Sequence, residues 1–190
     1  MDNTTMLIMA IVVVVGALVA AALIWNTTRK RRSQDLRDQF GPEYDRAVDT
    51  FGGPRPAERE LAARQKRVER LHIRPLSPEL HQRFTEAWKR VQARFVDDPS
   101  MAVSEANGLV KEVMQARGYP IGDFEQRAAD ISVDHPNVVA HYRAARDIAL
   151  SNHQGRAGTE ELRQALVHYR SLFDELLLET PSTVRRVSAR

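Results

Sequence analysis

Ser77-Pro78-Glu79-Leu80-His81-Gln82-Arg83-Phe84-Thr85-Glu86-Ala87-Trp88-Lys89-Arg90-Val91-Gln92-Ala93-Arg94-Phe95 places an apolar side chain at every third or fourth position. Leu80, Phe84, Trp88, Val91 and Phe95 follow the 3.6-residue helical period and form one stripe. Ser77 stands where an N-cap is needed. Pro78 takes the first helical position, where its missing N–H costs nothing. The stretch predicts a helix over 78–96. The same grammar continues on both sides. Residues 99–117 repeat it with Val103, Ala106, Val110 and Val113, with Asp98 as N-cap. Residues 136–151 repeat it with Val138, Tyr142, Ala145 and Ala149. Residues 160–178 repeat it with Leu162, Leu166, Tyr169, Leu172, Phe173 and Leu176, with Thr159 as N-cap. Pro42, Pro54, Pro56, Pro99 and Pro136 mark further helix starts. Pro75, Pro120 and Pro181 follow helix ends, and Gly52-Gly53 and Gly118 read as C-terminal caps. No segment alternates with period two. Residues 35–180 are long enough to bury a core, so the expectation is an all-α bundle of about five or six helices.

Two shorter pieces precede the bundle. Residues 35–51 put Leu36, Phe40, Tyr44, Val48 and Phe51 on one side, with a break at Gly41-Pro42. They predict a linking helix that packs on the bundle. Residues 54–72 place Ala57, Leu61 and Val68 on one side and Arg55, Arg59, Lys66 and Arg70 on the other. That is an amphipathic helix with a basic back. Read structurally, it is a bundle helix with a solvated face. Read functionally, the four cations are a candidate surface for acidic lipid or an acidic partner. The apolar stripe is too thin to insert deeply into a membrane.

The N-terminus carries a different signal. Residues 6–28 hold no charge, and the next residues with charge are Arg29, Lys30, Arg31 and Arg32. Twenty helical residues rise about 30 Å, the thickness of a bilayer's hydrocarbon core. A cleaved signal peptide would need bases before a shorter apolar run. Here Met1-Asp2-Asn3-Thr4-Thr5 holds one acid and no base, and Leu23-Ile24-Trp25 continues the apolar run past Ala20-Ala21-Ala22. The reading is a retained transmembrane helix at 6–28 after a short extracytoplasmic segment, 1–5. The positive-inside rule places the basic juxtamembrane segment, 29–34, on the cytoplasmic face of the inner (plasma) membrane. The soluble domain at 35–180 and a basic tail at 181–190 follow on that side. Gly16, Ala17, Ala20 and Ala21 form small-xxx-small spacings that let two anchors approach closely. The alternatives there are a homo-oligomer and an Ala-rich anchor with no partner.

Charge sharpens this division. The chain has 28 Lys and Arg against 25 Asp and Glu, and a pI near 9.5. Residues 33–180 hold 21 bases and 24 acids, so that segment is mildly acidic. The basicity lies in the Arg29–Arg32 cluster and in Arg185, Arg186 and Arg190. This argues against a dedicated nucleic-acid-binding domain and suits anionic headgroups at the membrane flank, at about 1 kcal/mol per base. The absence of cysteine excludes disulfide and thiol chemistry.

Candidate chemistry is sparse. His141-Tyr142-Arg143 with Asp147 recurs as His168-Tyr169-Arg170 with Asp174. In an antiparallel hairpin turning near Gly155 the two tyrosines sit at the same height on core stripes. Each arginine can then pair with the aspartate four residues on. The structural reading is a tyrosine layer inside a helix pair. The chemical one is a pocket, metal or catalytic site at His141/Tyr142 and His168/Tyr169. Neither histidine has an acid three residues before it, as di-iron bundles need. There is no Gly-rich phosphate loop, HExxH or nucleophile elbow. No metal or cofactor is expected. Asp97-Asp98-Pro99 reads as a helix start. Arg117-Gly118-Tyr119-Pro120 is a helix stop whose Tyr119 either packs over the turn or serves as a surface anchor for a partner.

Phe40-Gly41-Pro42-Glu43-Tyr44, Ile73-Arg74-Pro75-Leu76, Phe95-Val96-Asp97-Asp98-Pro99, Arg117-Gly118-Tyr119-Pro120 and Thr159-Glu160-Glu161-Leu162-Arg163 together resemble a family of short bacterial proteins. These are single-span or nominally secreted, and no activity, cofactor or catalytic residue is attached to them. The resemblance covers roughly residues 35–178 and implies a bacterial origin and a membrane setting. The functional expectation is a membrane-anchored helical interaction or scaffold module of unspecified role with a protein partner, rather than an enzyme. The alternative is a membrane-bound enzyme or ligand sensor with an inter-helix pocket at the His-Tyr layer.

Overall fold

The computed structural model describes residues 16, 20, 27 and 30–178. It is all-α: no strand occurs among the described residues. The chain divides into two units, residues 1–39 and 40–190. In the first unit residues 30–39 are helical, as are Gly16, Ala20 and Thr27, all three exposed. The rest of the expected span at 6–28, including Ala17 and Ala21, lies outside the described residues, as do Arg29 and the tail. Among the described residues no helix is long and apolar enough to cross a membrane.

The second unit holds seven helices: α1 (Pro42–Phe51), α2 (Pro54–Val68), α3 (Pro78–Asp97), α4 (Pro99–Arg117), α5 (Phe124–Asp134), α6 (Pro136–His153) and α7 (Thr159–Leu177). Five of them begin on proline, and Gly52 and Gly118 end α1 and α4 in the left-handed conformation. Asp98 is a one-residue hinge between α3 and α4. Its N–H donates to Arg94 O, and its carboxylate accepts from Met101 N at 2.9 Å. Ser77 caps α3 through Leu80 N. At α7 the expected cap moves by one residue. Gly158 is the N-cap, Thr159 is already helical, and Glu161 accepts from Gly158 N at 2.8 Å.

α3 and α4 form an antiparallel hairpin, as do α6 and α7, and α4 packs on both α6 and α7. The main core gathers Phe84, Trp88, Val110, Met114, Tyr142 and Phe173, among others. Trp88 stacks on Phe173 with centroids 4.7 Å apart, joining α3 to α7. Burying each such large ring contributes roughly 1.5–3 kcal/mol. α1 and α2 pair with each other and bury Tyr44, Ala47, Ala57, Leu61 and Val68 outside that cluster.

α5 exceeds the expected five or six helices. Phe124 and every residue from Arg127 to Asp134 are buried, because α5 packs on both α2 and α6. Arg127, Asp130, Ser132 and Asp134 share this burial. A helix that buries its polar residues presents no amphipathic stripe, so spacing does not reveal it.

Candidate functional site

α2 sorts its cations by face. Ala57, Leu61 and Val68 point inward, with Arg64 buried among them. Arg55, Arg59 and Lys66 are exposed on α2, and Arg70 is exposed in the turn that follows. The expected basic back is therefore present. None of these four has an ion pair or hydrogen bond to an acid among the described residues. Some other surface arginines are paired, Arg94 with Glu105 at 3.0 Å, Arg163 with Glu160 at 2.7 Å and Arg170 with Asp174 at 3.3 Å, while exposed Arg90 and Arg156, like these four, have no acidic partner among the described residues. From Arg55 to Arg70 the row runs about 22 Å at helical rise.

The opposite side of α2 is a buried charge network that spacing did not disclose. Glu43 of α1 is 4% exposed. It accepts from Arg64 Nη1 at 3.4 Å and from Arg143 Nε at 3.1 Å, with Arg46 Nε at 3.7 Å. Arg143 also donates to Glu125 at 2.6 Å. Burial lowers the pKa of Arg143, but hydrogen bonds to Glu125 and Glu43 outweigh it and the net shift is upward. Arg143 thus spans α1, α5 and α6 and does not take the expected partner Asp147. Its counterpart Arg170 does pair with Asp174. Arg67 Nε donates to Asp130 Oδ1 at 2.8 Å, tying α2 to α5. These pairs border a cleft of about 330 Å³ lined by four arginines and four carboxylates, among them Glu43, Arg64, Glu125 and Arg143. All four of its arginines are paired with carboxylates, so its chemistry is that of a clamp between α1–α2 and the bundle.

Tyr119 is not a surface anchor. It is 2% exposed, and its hydroxyl donates to Asp134 Oδ2 at 2.9 Å. Burial, then the Asp134 charge, push its pKa far up, so it stays a neutral donor. Its neighbour Arg117 is fully buried and donates from Nη1 to Leu176 O at 2.7 Å and to Leu178 O at 3.3 Å. A guanidinium there serves the orphan carbonyls and the negative dipole end of α7. Burial draws its pKa down, and Tyr119, Asp134 and Glu175 oppose that. Gly118 has φ +98°, and a Cβ there would meet His72 O at 2.5 Å. The turn is fixed by packing on the 69–77 linker, whose Arg74 N donates to Arg117 O at 2.9 Å.

The His-Tyr-Arg echo assembles as its spacing requires. Tyr142 and Tyr169 are both buried in the core. Arg127 Nε donates to the Tyr142 hydroxyl at 3.1 Å, and Phe124 packs against the Tyr142 ring at 4.8 Å. Burial raises the pKa of Tyr169. Outside this layer His141 and His168 stack, half-buried, with Nδ1 atoms 2.9 Å apart. Neither tyrosine lines the cleft around Glu43. Among the described residues no three His, Cys, Asp or Glu converge on a metal position.

Against protein families, characterised proteins and solved structures, the chain gives no match.

Proposed function

We propose that this chain is a membrane-anchored helical interaction module whose contact surface is the basic face formed by Arg55, Arg59, Lys66 and Arg70. The observation that carries this is the sorting of cations along one segment: Arg64 and Arg67 of α2 turn to Glu43, Glu60 and Asp130, whereas Arg55, Arg59 and Lys66 on α2 and Arg70 just after it are exposed with no acidic partner among the described residues. Unpaired charge aligned along a helix and the turn that follows it attracts an acidic partner at little cost to the fold and speeds encounter. The anchor is residues 6–28, with the N-terminus outside and Arg29–Arg32 on the cytoplasmic side. Its support is the uncharged run and the one-sided charge. Gly16, Ala17, Ala20 and Ala21 offer a pairing face for a second anchor. The motif set adds a bacterial inner-membrane setting.

The test is in-cell crosslinking and mass spectrometry of the full-length protein, beside a variant carrying Arg59→Glu, Lys66→Glu and Arg70→Glu. The expected result is a reproducible acidic protein partner whose crosslinks map to α2 and are lost in the variant. Recovery of the same partners at the same yield from the variant overturns the assignment of the surface. Recovery of lipid crosslinks alone overturns the protein partner.

The ligand-sensor reading finds less support. Its pocket was to lie at the Tyr142 and Tyr169 layer, and both rings are packed into the core.

A further inference from the structure

We infer that His141 and His168 form a two-histidine chelating site for a tetragonal divalent cation of the Cu(II) or Ni(II) type, on the surface of the α6–α7 hairpin. The two ring centres are 5.0 Å apart, but the two Nδ1 atoms are only 2.9 Å apart. The nitrogen edges therefore converge. Metal–imidazole bonds are about 2.0 Å. Two such bonds across a 2.9 Å gap meet at roughly 90°. That is the cis angle of a square-planar or octahedral ion. A tetrahedral ion with the same bond length needs its nitrogens about 3.3 Å apart. Tetragonal nitrogen and oxygen coordination selects Cu(II) or Ni(II), and Cu(II) stands highest in the affinity order.

The scaffold favours this chelate. Each histidine sits on a helix next to a buried tyrosine, so the two backbone positions are held at matching heights before any ion arrives. Both are half-buried, which leaves the outer side open for water or an added ligand to fill the remaining positions. No third protein ligand is at hand among the described residues. Without an ion, one Nδ1 must carry the hydrogen that the other accepts. On binding, that hydrogen moves to Nε2 of the same ring and both Nδ1 lone pairs face the metal. No proton is gained or lost.

The test is titration of the full-length protein in detergent with Cu(II), followed by electron paramagnetic resonance and visible absorption. The expected result is one equivalent of Cu(II) with hyperfine structure from two imidazole nitrogens. His141→Gln and His168→Gln should each weaken binding at least about tenfold, while His81→Gln and His153→Gln, at exposed lone histidines, leave it unchanged. A wild-type spectrum with fewer than two nitrogens overturns the site without reference to any variant. So does equal affinity in the His141→Gln/His168→Gln double variant. Neither result bears on the basic face of α2, which shares no residue with this pair.

Discussion

At the scale of single residues, Gly118 and His168 make the sharpest predictions. Gly118 was legible as a C-cap, because a glycine after the last apolar position of a helix is that signal. Its second constraint was not, because the carbonyl it faces belongs to His72. Gly118→Ala combines a left-handed φ with a backbone clash, so it should cost on the order of 3 kcal/mol, read as a lower urea midpoint with unchanged slope. His168 has a pKa below the ordinary 6.5 in the folded protein. The unfolded chain therefore takes up the proton first as pH falls. The stability linked to His168 is fully present above about pH 6.5 and is lost as pH drops through the folded value. Urea unfolding at about pH 7.5 and 5.5 should show a smaller acid loss in His168→Gln than in the wild type. Tyr119 shows the limit of reading a residue by type. A tyrosine beside Gly and Pro in a turn suits an exposed anchor equally well, and only Asp134, on α5, makes it a buried donor.

At the scale of elements, the helix boundaries were the most readable part of the chain. Proline, aspartate, serine and glycine act through local backbone chemistry, so their positions carry their meaning. Asp98 performs two tasks at one residue, closing α3 and capping α4. Asp98→Ala should cost about 1 kcal/mol, measured by thermal or urea unfolding, and Asp98→Asn should recover most of it. Only α5 escaped the spacing argument. Its register is set by Arg67 of α2 bonding Asp130 and by Tyr142 of α6 bonding Arg127, partners 63 and 15 residues away. The hairpin of α6 and α7 went the other way. A repeat of three residues at an offset of 27 is enough to fix the height at which two antiparallel helices meet.

At the scale of the whole second unit, α1 and α2 join the bundle through charge as well as apolar contact. Glu43 is the node, so Glu43→Ala leaves Arg64 and Arg143 without their shared partner and should cost roughly 3 kcal/mol. Hydrogen exchange should then accelerate across residues 42–68 well before it does in α3 and α4. Uniform acceleration would mean that the unit unfolds as one block. The basic face behaves oppositely. Its four cations are exposed and hold nothing in the fold, so the triple charge reversal at Arg59, Lys66 and Arg70 should shift unfolding free energy by less than about 0.5 kcal/mol per site. That separation lets a binding defect be read as a binding defect.

Sequence by itself determined the helical class, most helix ends, the exposed basic row on α2 and the paired tyrosine layer. Each of these depends on residues close in the chain or on a fixed period. Tertiary structure decided which charges are buried and with whom: Glu43 among arginines, Arg117 under the end of α7, Asp134 against Tyr119, and two imidazole nitrogens 2.9 Å apart. A polar side chain is indifferent to the face it occupies until a partner from a distant element makes its burial favourable, and no local pattern records that partner.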